Sequence, residues 1–201
     1  MSKEISLDDI KKFWPEKAPD INIVQKYVSK YEKEKIVIKY GGNVLIDRKV
    51  FNNFISDIDV LNKLGLSIIV VHGGGPRIKR ELDKKKIVSK FINGLRVTDK
   101  NIIDTVEEVL IDFNIDIVNS LKKLGSEGAS FHTKKNSIIE VEPEREELGF
   151  VGIPKKININ LIEDALNKNK IPIIAPLGLG KNNQTFNING DTAASAIAKK
   201  L

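Results

Sequence analysis

Residues 35–43 read Lys35-Ile36-Val37-Ile38-Lys39-Tyr40-Gly41-Gly42-Asn43, a short β-branched run that ends in a lysine and a pair of glycines. A similar pattern, an apolar run followed by glycines, occurs at Ser67-Ile68-Ile69-Val70-Val71-His72-Gly73-Gly74-Gly75-Pro76. Both runs are predicted to be strands that enter glycine loops. Glycine lets the backbone and its N–H groups approach a ligand, and a helix that follows adds partial positive charge at its N-terminus. The pattern therefore predicts a phosphate or carboxylate site beside Lys39.

Length and composition set the broad class. The chain has 201 residues, enough for one sizeable core or for one domain with an extension. Its apolar fraction of 41% and charged fraction of 30% are ordinary for a globular protein. It contains no cysteine, which excludes a disulfide framework and a thiolate metal site, and no metal site is predicted. Since no signal peptide and no apolar run of about eighteen residues is apparent, we expect a cytoplasmic protein without a membrane span.

The net charge of +6 arises from many lysines, some of them in runs such as Lys84-Lys85-Lys86. A nucleic-acid patch is one interpretation of these runs. Acidic residues interrupt them and aromatic residues do not interleave them, which favours solvated lysines, so no nucleic-acid partner is expected. The modest positive balance also suits small anionic substrates.

The chain divides at about residue 34. Residues 1–34 are predicted to be a helical extension, with one helix that starts near Ser6-Leu7-Asp8-Asp9 and a second over residues 21–31. This pair either covers the core or meets a partner subunit.

Predicted strands and helices alternate from residue 35 to 201. Strands are expected over 36–38, 67–71 and 171–175, short strands or a hairpin over 131–141, and helices over 51–64, 77–83, 98–124 and 157–167 and from Asp191 onward. Continuous apolar strands between helices predict an α/β fold with a mainly parallel sheet and helices on both faces.

The two common nucleotide-binding patterns are absent. Gly178-Leu179-Gly180-Lys181 resembles the end of a P-loop, but Asn182 stands where that loop requires a hydroxyl residue. The dinucleotide pattern G-x-G-x-x-G does not follow the first strand. A phosphate site in this chain therefore needs another scheme.

The strand-end lysine and the triple glycine are the main candidates for chemistry. Placing Lys39 in an apolar strand costs free energy unless its ammonium group faces a cavity or an anion. A lysine at a strand end can also extend its ammonium group to solvent. Three glycines, Gly73 to Gly75, lose much conformational entropy on folding, so an oxyanion or phosphate contact explains them better than a plain turn. His72 is interpreted as a packed strand-end residue rather than a base.

Two later segments supply further candidate ligand groups. Arg96 either clamps a carboxylate with two parallel hydrogen bonds or forms a surface salt bridge. Asn187 and Asn189 share one face of an extended segment. Asp191 either caps the next helix, which the segment alone favours, or holds a lysine in place.

Taken in order, these segments resemble the amino-acid kinase family, and within it the acetylglutamate kinases. The resemblance covers about residues 35–201 and rests on segments 38–43, 71–76, 93–98, 147–152 and 187–194. The lysine-glycine and triple-glycine loops recur across the wider family. Gly94-Leu95-Arg96-Val97-Thr98 and Glu147-Leu148-Gly149-Phe150-Val151-Gly152 narrow the resemblance to acetylglutamate kinases and their relatives.

The resemblance implies a reaction in arginine biosynthesis. The γ-phosphoryl group of ATP, which brings Mg²⁺ with it, would pass to the side-chain carboxylate of N-acetyl-L-glutamate. By similarity, Lys39 would stabilise charge on the transferring group and Asp191 would orient that lysine. Phosphoryl transfer depends mainly on such positioning and charge neutralisation.

The resemblance also implies the binding residues. Gly74 and Gly75 would hold the reacting end of N-acetyl-L-glutamate through backbone N–H groups. Arg96, assisted by Asn187, would bind its α-carboxylate. The phosphate path would be lined by three glycines, namely Gly41, Gly42 and Gly73. A homo-oligomer is expected for the full-length protein.

The chain departs from the family pattern in two ways. Family members continue into a C-terminal part that binds the nucleotide and supplies a second lysine. We therefore expect residues 35–201 to be the substrate-binding lobe of a longer domain, inactive as a kinase on its own, with most of the ATP site outside it. Residues 126–133 also lack a glycine-rich segment, and Asn114 lacks its usual glycine and lysine neighbours.

Two alternative functions remain open on the residues alone. One is a kinase of carrier-bound aminoadipate or glutamate, against which the pair Arg96 and Asn187 favours a free acetylamino acid. The other is the non-catalytic, arginine-sensing kinase-like domain of an acetylglutamate synthase. Lys39 and the intact triple-glycine loop argue against a domain that has lost catalytic activity.

Overall fold

A four-stranded parallel sheet forms the centre of the fold. The structure is a computed structural model that describes residues 7–32, 34–41 and 47–201. The sheet has the order β1-β2-β8-β5, and all three of its strand pairs are parallel. Its strands are β1 (Lys35–Tyr40), β2 (Ser67–His72), β5 (Gly128–Phe131) and β8 (Ile171–Ile174). The predicted parallel sheet is confirmed.

Helices cover both faces of this sheet, as the sequence predicted. On one face, α3 (Arg48–Lys63) and α5 (Lys100–Lys123) pack against side chains that include Ile68 and Val70. On the other face, α6 (Ile159–Asn167) and α7 (Gly190–Lys200) pack against side chains that include Ile69 and Val71. Because successive side chains of a strand point to opposite faces, a continuous apolar run is buried on both sides.

A second sheet, which the sequence did not predict, lies beside the first. It has the order β10-β9-β6-β7, with antiparallel outer pairs and a parallel contact between β6 and β9. Its strands are β6 (Ile139–Pro143), β7 (Gly152–Ile157), β9 (Leu177–Leu179) and β10 (Thr185–Asn187). Since β5 ends at Phe131 and β6 begins at Ile139 in a different sheet, these two short strands do not pair as a hairpin.

Two smaller units complete the described part of the chain. The helix α4 (Gly75–Lys84) follows β2, and a short ribbon of β3 (Phe91–Ile92) and β4 (Leu95–Arg96) follows α4. Near the N-terminus lie α1 (Leu7–Lys11) and α2 (Ile21–Tyr31).

The N-terminal helices have one buried and one open face. Ile10 of α1 and Val24 of α2 pack against Val60 of α3 and against Leu64, the residue that caps the C-terminus of α3. A neighbouring face of α2 leaves Ile23, Tyr27 and Tyr31 exposed. This extension therefore covers part of the core and also presents an apolar surface.

The long helix α5 begins and ends where the sequence predicted. The Asp99 carboxylate accepts hydrogen bonds from the N–H groups of Asn101 and Ile102 at 2.8 and 3.1 Å. Gly125, with a φ of 94°, follows its C-terminus in the left-handed conformation that glycine adopts without strain. Neither α5 nor any other helix among the described residues is long and apolar enough to cross a membrane.

The cap of α7 differs from the prediction. The side-chain oxygen of Asn189, and not that of Asp191, accepts hydrogen bonds from the N–H groups of Asp191 and Thr192, at 2.9 and 3.1 Å. Asp191 is therefore the second residue of the helix, and its carboxylate is available for another partner.

The exchange of roles between Asn189 and Asp191 predicts different effects on stability. Asn189→Ala removes the acceptor of two helix N–H groups and should lower the free energy of unfolding by about 1 kcal/mol. Asp191→Asn leaves that cap in place and should cost less. Urea unfolding of both variants measures the difference, and a larger loss for Asp191→Asn would contradict this assignment.

Candidate functional site

A cleft of about 210 Å³ lies where β1, β2 and β10 end, and the predicted site residues meet there. Eight of the nine line it, namely Lys39, Gly41, Gly73, Gly74, Gly75, Arg96, Asn187 and Asp191. The ninth, Gly42, lies outside the described residues.

Lys39 faces this cleft and is held by Asp191. Its Nζ lies 2.9 Å from Oδ1 of Asp191 and 3.2 Å from Oδ2, so one carboxylate holds the ammonium group from the start of α7. Glycines make room for it: a Cβ atom at Gly41 would lie 2.9 Å from the Lys39 Cε, and one at Gly190 would lie 3.6 Å from it. Of the two interpretations of Asp191, the one in which it holds a lysine matches the geometry.

The two glycine bends touch each other. The Gly73 N–H donates to the carbonyl of Tyr40 at 2.6 Å, and a Cβ atom at Gly73 would lie 3.4 Å from the Gly41 Cα. Because its N–H group is already bonded, Gly73 contributes close packing of the two bends and does not offer a free donor.

Gly74 and Gly75 place the start of α4 at the cleft. Gly74 is the N-cap residue and Gly75 the first residue of the helix, and the first N–H groups of a helix have no partner within it. These groups and the helix dipole favour an anion. Gly74 is also needed sterically, since a Cβ atom there would lie 2.5 Å from a methyl group of Leu110 on α5.

Arg96 enters the cleft from the ribbon strand β4 and is only 8% exposed. Its guanidinium donates to the Ser89 hydroxyl and to the Gly75 carbonyl at 3.3 Å, and it lies 4.7 Å from the centre of the Phe91 ring. Burial lowers the pKa of Arg96, an effect that the charge of Asp83 opposes. No salt bridge joins it to a carboxylate in the described ranges. A partly desolvated cation of this kind is suited to an anionic ligand.

The segment Glu147–Gly152 explains how Arg96 and Asn187 come together. Thr98 pairs with this segment: its N–H donates to the Leu148 carbonyl at 2.9 Å and its carbonyl accepts from the Phe150 N–H at 2.7 Å. The Phe150 carbonyl then accepts from the Asn187 N–H at 2.9 Å. The segment is thus a bridge between the ribbon that carries Arg96 and the strand that carries Asn187.

His72 is packed beneath the site, as predicted. Its ring is fully buried, stands edge-on to Phe113 and contacts the amide of Asn114. Burial lowers its pKa to about 4, so the ring is neutral near pH 7. It is not placed to act as a base at the cleft surface.

Sequence reasoning missed the apolar wall of the cleft. Leu95, Leu110, Val151 and Ile188 line it and come from four separate parts of the chain, so no local pattern could have joined them. A larger cleft of about 870 Å³ lies between α3, α4 and α5. We assign the smaller one as the site because the glycine bends, Lys39 and Arg96 meet there.

The geometry suits a small molecule with two anionic ends and an apolar part. Arg96 provides one cationic position, and Lys39 with the first N–H groups of α4 provides another. Across residues 7–32, 34–41 and 47–201, no group of three or more acidic or histidine side chains is placed to hold a metal ion. The charged side chains of the described residues that line the cleft are Lys39, Asp191 and Arg96.

Fold and site together define an α/β protein with a positively charged cleft at the carboxyl edge of a parallel sheet. A family model described as the amino acid kinase family matches residues 34–201. The chain belongs to the amino acid kinase family.

Its relatives agree with the resemblance in the sequence. The chain is 51% identical over 187 residues to the acetylglutamate kinase of Pelagibacter ubique, covering 93% of this chain and 65% of that protein. It is 40% identical over 188 residues to that of Clostridioides difficile, covering 92% and 66%. The chain thus spans just under two thirds of the length of these relatives.

Solved structures share the fold. The Streptococcus mutans protein smu.665 superposes with a TM-score of 0.73 at 31% identity, covering 81% of this chain and 66% of that one. The N-acetylglutamate synthase of Neisseria gonorrhoeae superposes with a TM-score of 0.70 at 19% identity, covering 88% and 43%. At that identity, the synthase shows a likeness of fold alone.

The bridging segment predicts a sensitive glycine. Gly149 has a φ of 68°, and a Cβ atom there would lie 2.5 Å from the Thr98 carbonyl oxygen. Gly149→Ala should therefore lower the free energy of unfolding by about 2 kcal/mol or more. Gly65→Ala is a matched control, since Gly65 also has a positive φ but nothing lies within 4 Å. Urea unfolding that finds equal losses would argue against the clash.

The buried His72 predicts a loss of stability on acidification. Its pKa is near 6.5 when unfolded and about 4 when folded, so the unfolded chain binds more protons between these values. The contribution to stability is present above pH 6.5 and should fall by about 3 kcal/mol as the pH drops to 4. His72→Gln should remove most of this dependence of the unfolding free energy on pH, and His132→Gln should leave most of it in place. An unchanged slope in His72→Gln would contradict the burial argument.

Proposed function

We propose that this chain contributes the acceptor-binding part of an acetylglutamate kinase. The observation that carries the proposal is one cleft with two cationic positions, Arg96 on the ribbon and Lys39 on β1. The N–H groups of Gly74 and Gly75 lie at the same cleft, where α4 begins. The choice of N-acetyl-L-glutamate as substrate comes from the relatives, which are named acetylglutamate kinase.

N-acetyl-L-glutamate matches these groups end by end. Its α-carboxylate would bind Arg96, with Asn187 beside it, and charge-assisted hydrogen bonds of this type are strong. Its side-chain carboxylate would lie at the N–H groups of Gly74 and Gly75 near Lys39. The acetyl methyl group would pack on the apolar wall that includes Leu95 and Ile188.

Phosphoryl transfer would occur at the Lys39 end of the cleft. One oxygen of the side-chain carboxylate would attack the γ-phosphorus of ATP, the bond to the β-phosphate oxygen would break, and an acyl phosphate and ADP would form. Lys39 would neutralise charge on the moving group, and Asp191 would keep its ammonium in place. Gly41 and Gly73 would leave space for the phosphate, and Gly42 stays a prediction. Mg²⁺ would arrive with the nucleotide as part of that substrate.

The setting of the whole protein is also a proposal. We expect a cytoplasmic protein of arginine biosynthesis that forms a homo-oligomer. The exposed apolar stripe of Ile23, Tyr27 and Tyr31 on α2 supports an interaction surface, because contiguous apolar side chains on a helix face favour contact with a partner. Residues 1–34 would then be an extension and 35–201 the substrate-binding lobe.

Calorimetric titration of the 201-residue chain with N-acetyl-L-glutamate tests the proposal. The wild type should bind, and Arg96→Ala should raise the Kd about a hundredfold because one carboxylate loses its buried partner. N-acetyl-L-glutamine, which lacks the side-chain carboxylate, should bind more weakly than N-acetyl-L-glutamate.

Arg48→Ala is the matched control, because it removes an exposed arginine of α3 that does not line the cleft. Its Kd should equal that of the wild type. Equal binding by Arg96→Ala and the wild type would remove Arg96 from the site. No binding by a folded wild type would reject the proposed acceptor.

A further inference from the structure

A fully buried asparagine lies beneath the candidate site and joins three strand ends. Asn114, on α5, donates from its amide nitrogen to the Ile173 carbonyl at 2.8 Å. The same nitrogen lies 3.2 Å from Nε2 of His72, and the amide oxygen accepts from the Ser130 hydroxyl. His72, Ile173 and Ser130 belong to β2, β8 and β5, which are neighbours in the parallel sheet.

These contacts determine which nitrogen of His72 carries the proton. The Ile173 carbonyl can only accept a hydrogen bond, so the group of Asn114 that contacts it must be the NH₂ group and not the amide oxygen. The same NH₂ group also faces His72. Because that nitrogen donates, Nε2 of the neutral ring must accept. The proton therefore sits on Nδ1, which lies 2.9 Å from the Gly73 carbonyl oxygen and donates to it.

This last hydrogen bond acts on the glycine loop. The carbonyl of Gly73 and the N–H of Gly74 belong to one planar trans peptide group, so they point in opposite directions. A Gly73 carbonyl that is held toward the buried ring therefore turns the Gly74 N–H away from the core, toward the cleft that Gly74 lines. Leu110, one turn before Asn114 on α5, supports the same peptide from below.

We propose that Asn114 is a positioning residue, which holds His72 with its proton on Nδ1 so that His72 aims the Gly74 N–H into the cleft. Asn114 touches no ligand and acts through His72. The inference rests on the proposed function in one respect, the choice of N-acetyl-L-glutamate as the ligand whose affinity is measured. The arrangement of protons is a property of the chain without ligand.

Nitrogen-15 NMR of the two histidines, with His132→Gln to assign them, gives a direct readout. In the wild type, His72 should show a protonated Nδ1 and an unprotonated Nε2. Asn114→Asp replaces the donor by an acceptor and should place a proton on Nε2, shift the Gly74 amide signal and raise the Kd for N-acetyl-L-glutamate about tenfold. Asn114→Ala, which adds no charge, should shift the Gly74 signal and raise the Kd similarly if the aspartate prevents folding.

Two comparisons separate positioning from simple stabilisation. Ser126→Ala removes an equally buried hydrogen bond, from Ser126 to Asp59 at 2.7 Å, and should lower stability without changing the His72 signals or the Kd. In a His72→Gln background, Asn114→Ala should raise the Kd no further, because the imidazole ring through which Asn114 acts is already absent.

Separate results overturn this inference and the proposed function. A wild-type His72 with its proton on Nε2 would refute the positioning role whatever the ligand. Wild-type affinity in Asn114→Ala, while the wild type binds N-acetyl-L-glutamate, would refute it as well. A folded wild type that does not bind N-acetyl-L-glutamate would reject the proposed acceptor, and the His72 and Gly74 signals without ligand would still decide this inference.

Discussion

The parallel pairing of β1 with β2 fixes the positions of Lys39 and the two glycine bends at the cleft. In this register Lys39 lies opposite Val71 and Tyr40 opposite His72, so both strands end at the same level. Each strand is then followed directly by glycine, and the two bends come within contact distance. Since a shift of one residue would turn every side chain to the other face, Lys39 could not face the cleft in any neighbouring register.

Charge is concentrated at this edge by separate parts of the chain. Lys39 comes from β1, Arg96 from the ribbon and Asp191 from α7, and the start of α4 adds its helix dipole. Two cationic side chains and one carboxylate among the described residues line the cleft, which leaves it with an excess of positive charge. Such an excess attracts an anionic ligand and is only partly screened in a recess.

The apolar strands and the helix periodicity made most of the fold predictable. The runs 36–38 and 67–71 are continuous and β-branched and are separated by a helical pattern, which favoured a buried parallel sheet. Asp99 and Gly125 marked the ends of α5 correctly because capping depends on local hydrogen bonds. The second sheet was missed because its strands are short and carry exposed charges such as Glu140 and Lys156, which resemble a loop.

The sequence by itself determined which residues could bind an anion, because glycine bends, a strand-end lysine and a loop arginine reveal their chemistry locally. Tertiary structure alone decided their roles. Asn189 became the cap of α7, and Asp191 was thereby left to hold Lys39, 152 positions away in the chain. Likewise, Asn114 meets His72 only because α5 crosses beneath the ends of three strands. Contacts between distant residues depend on how elements pack, and no local pattern encodes that packing.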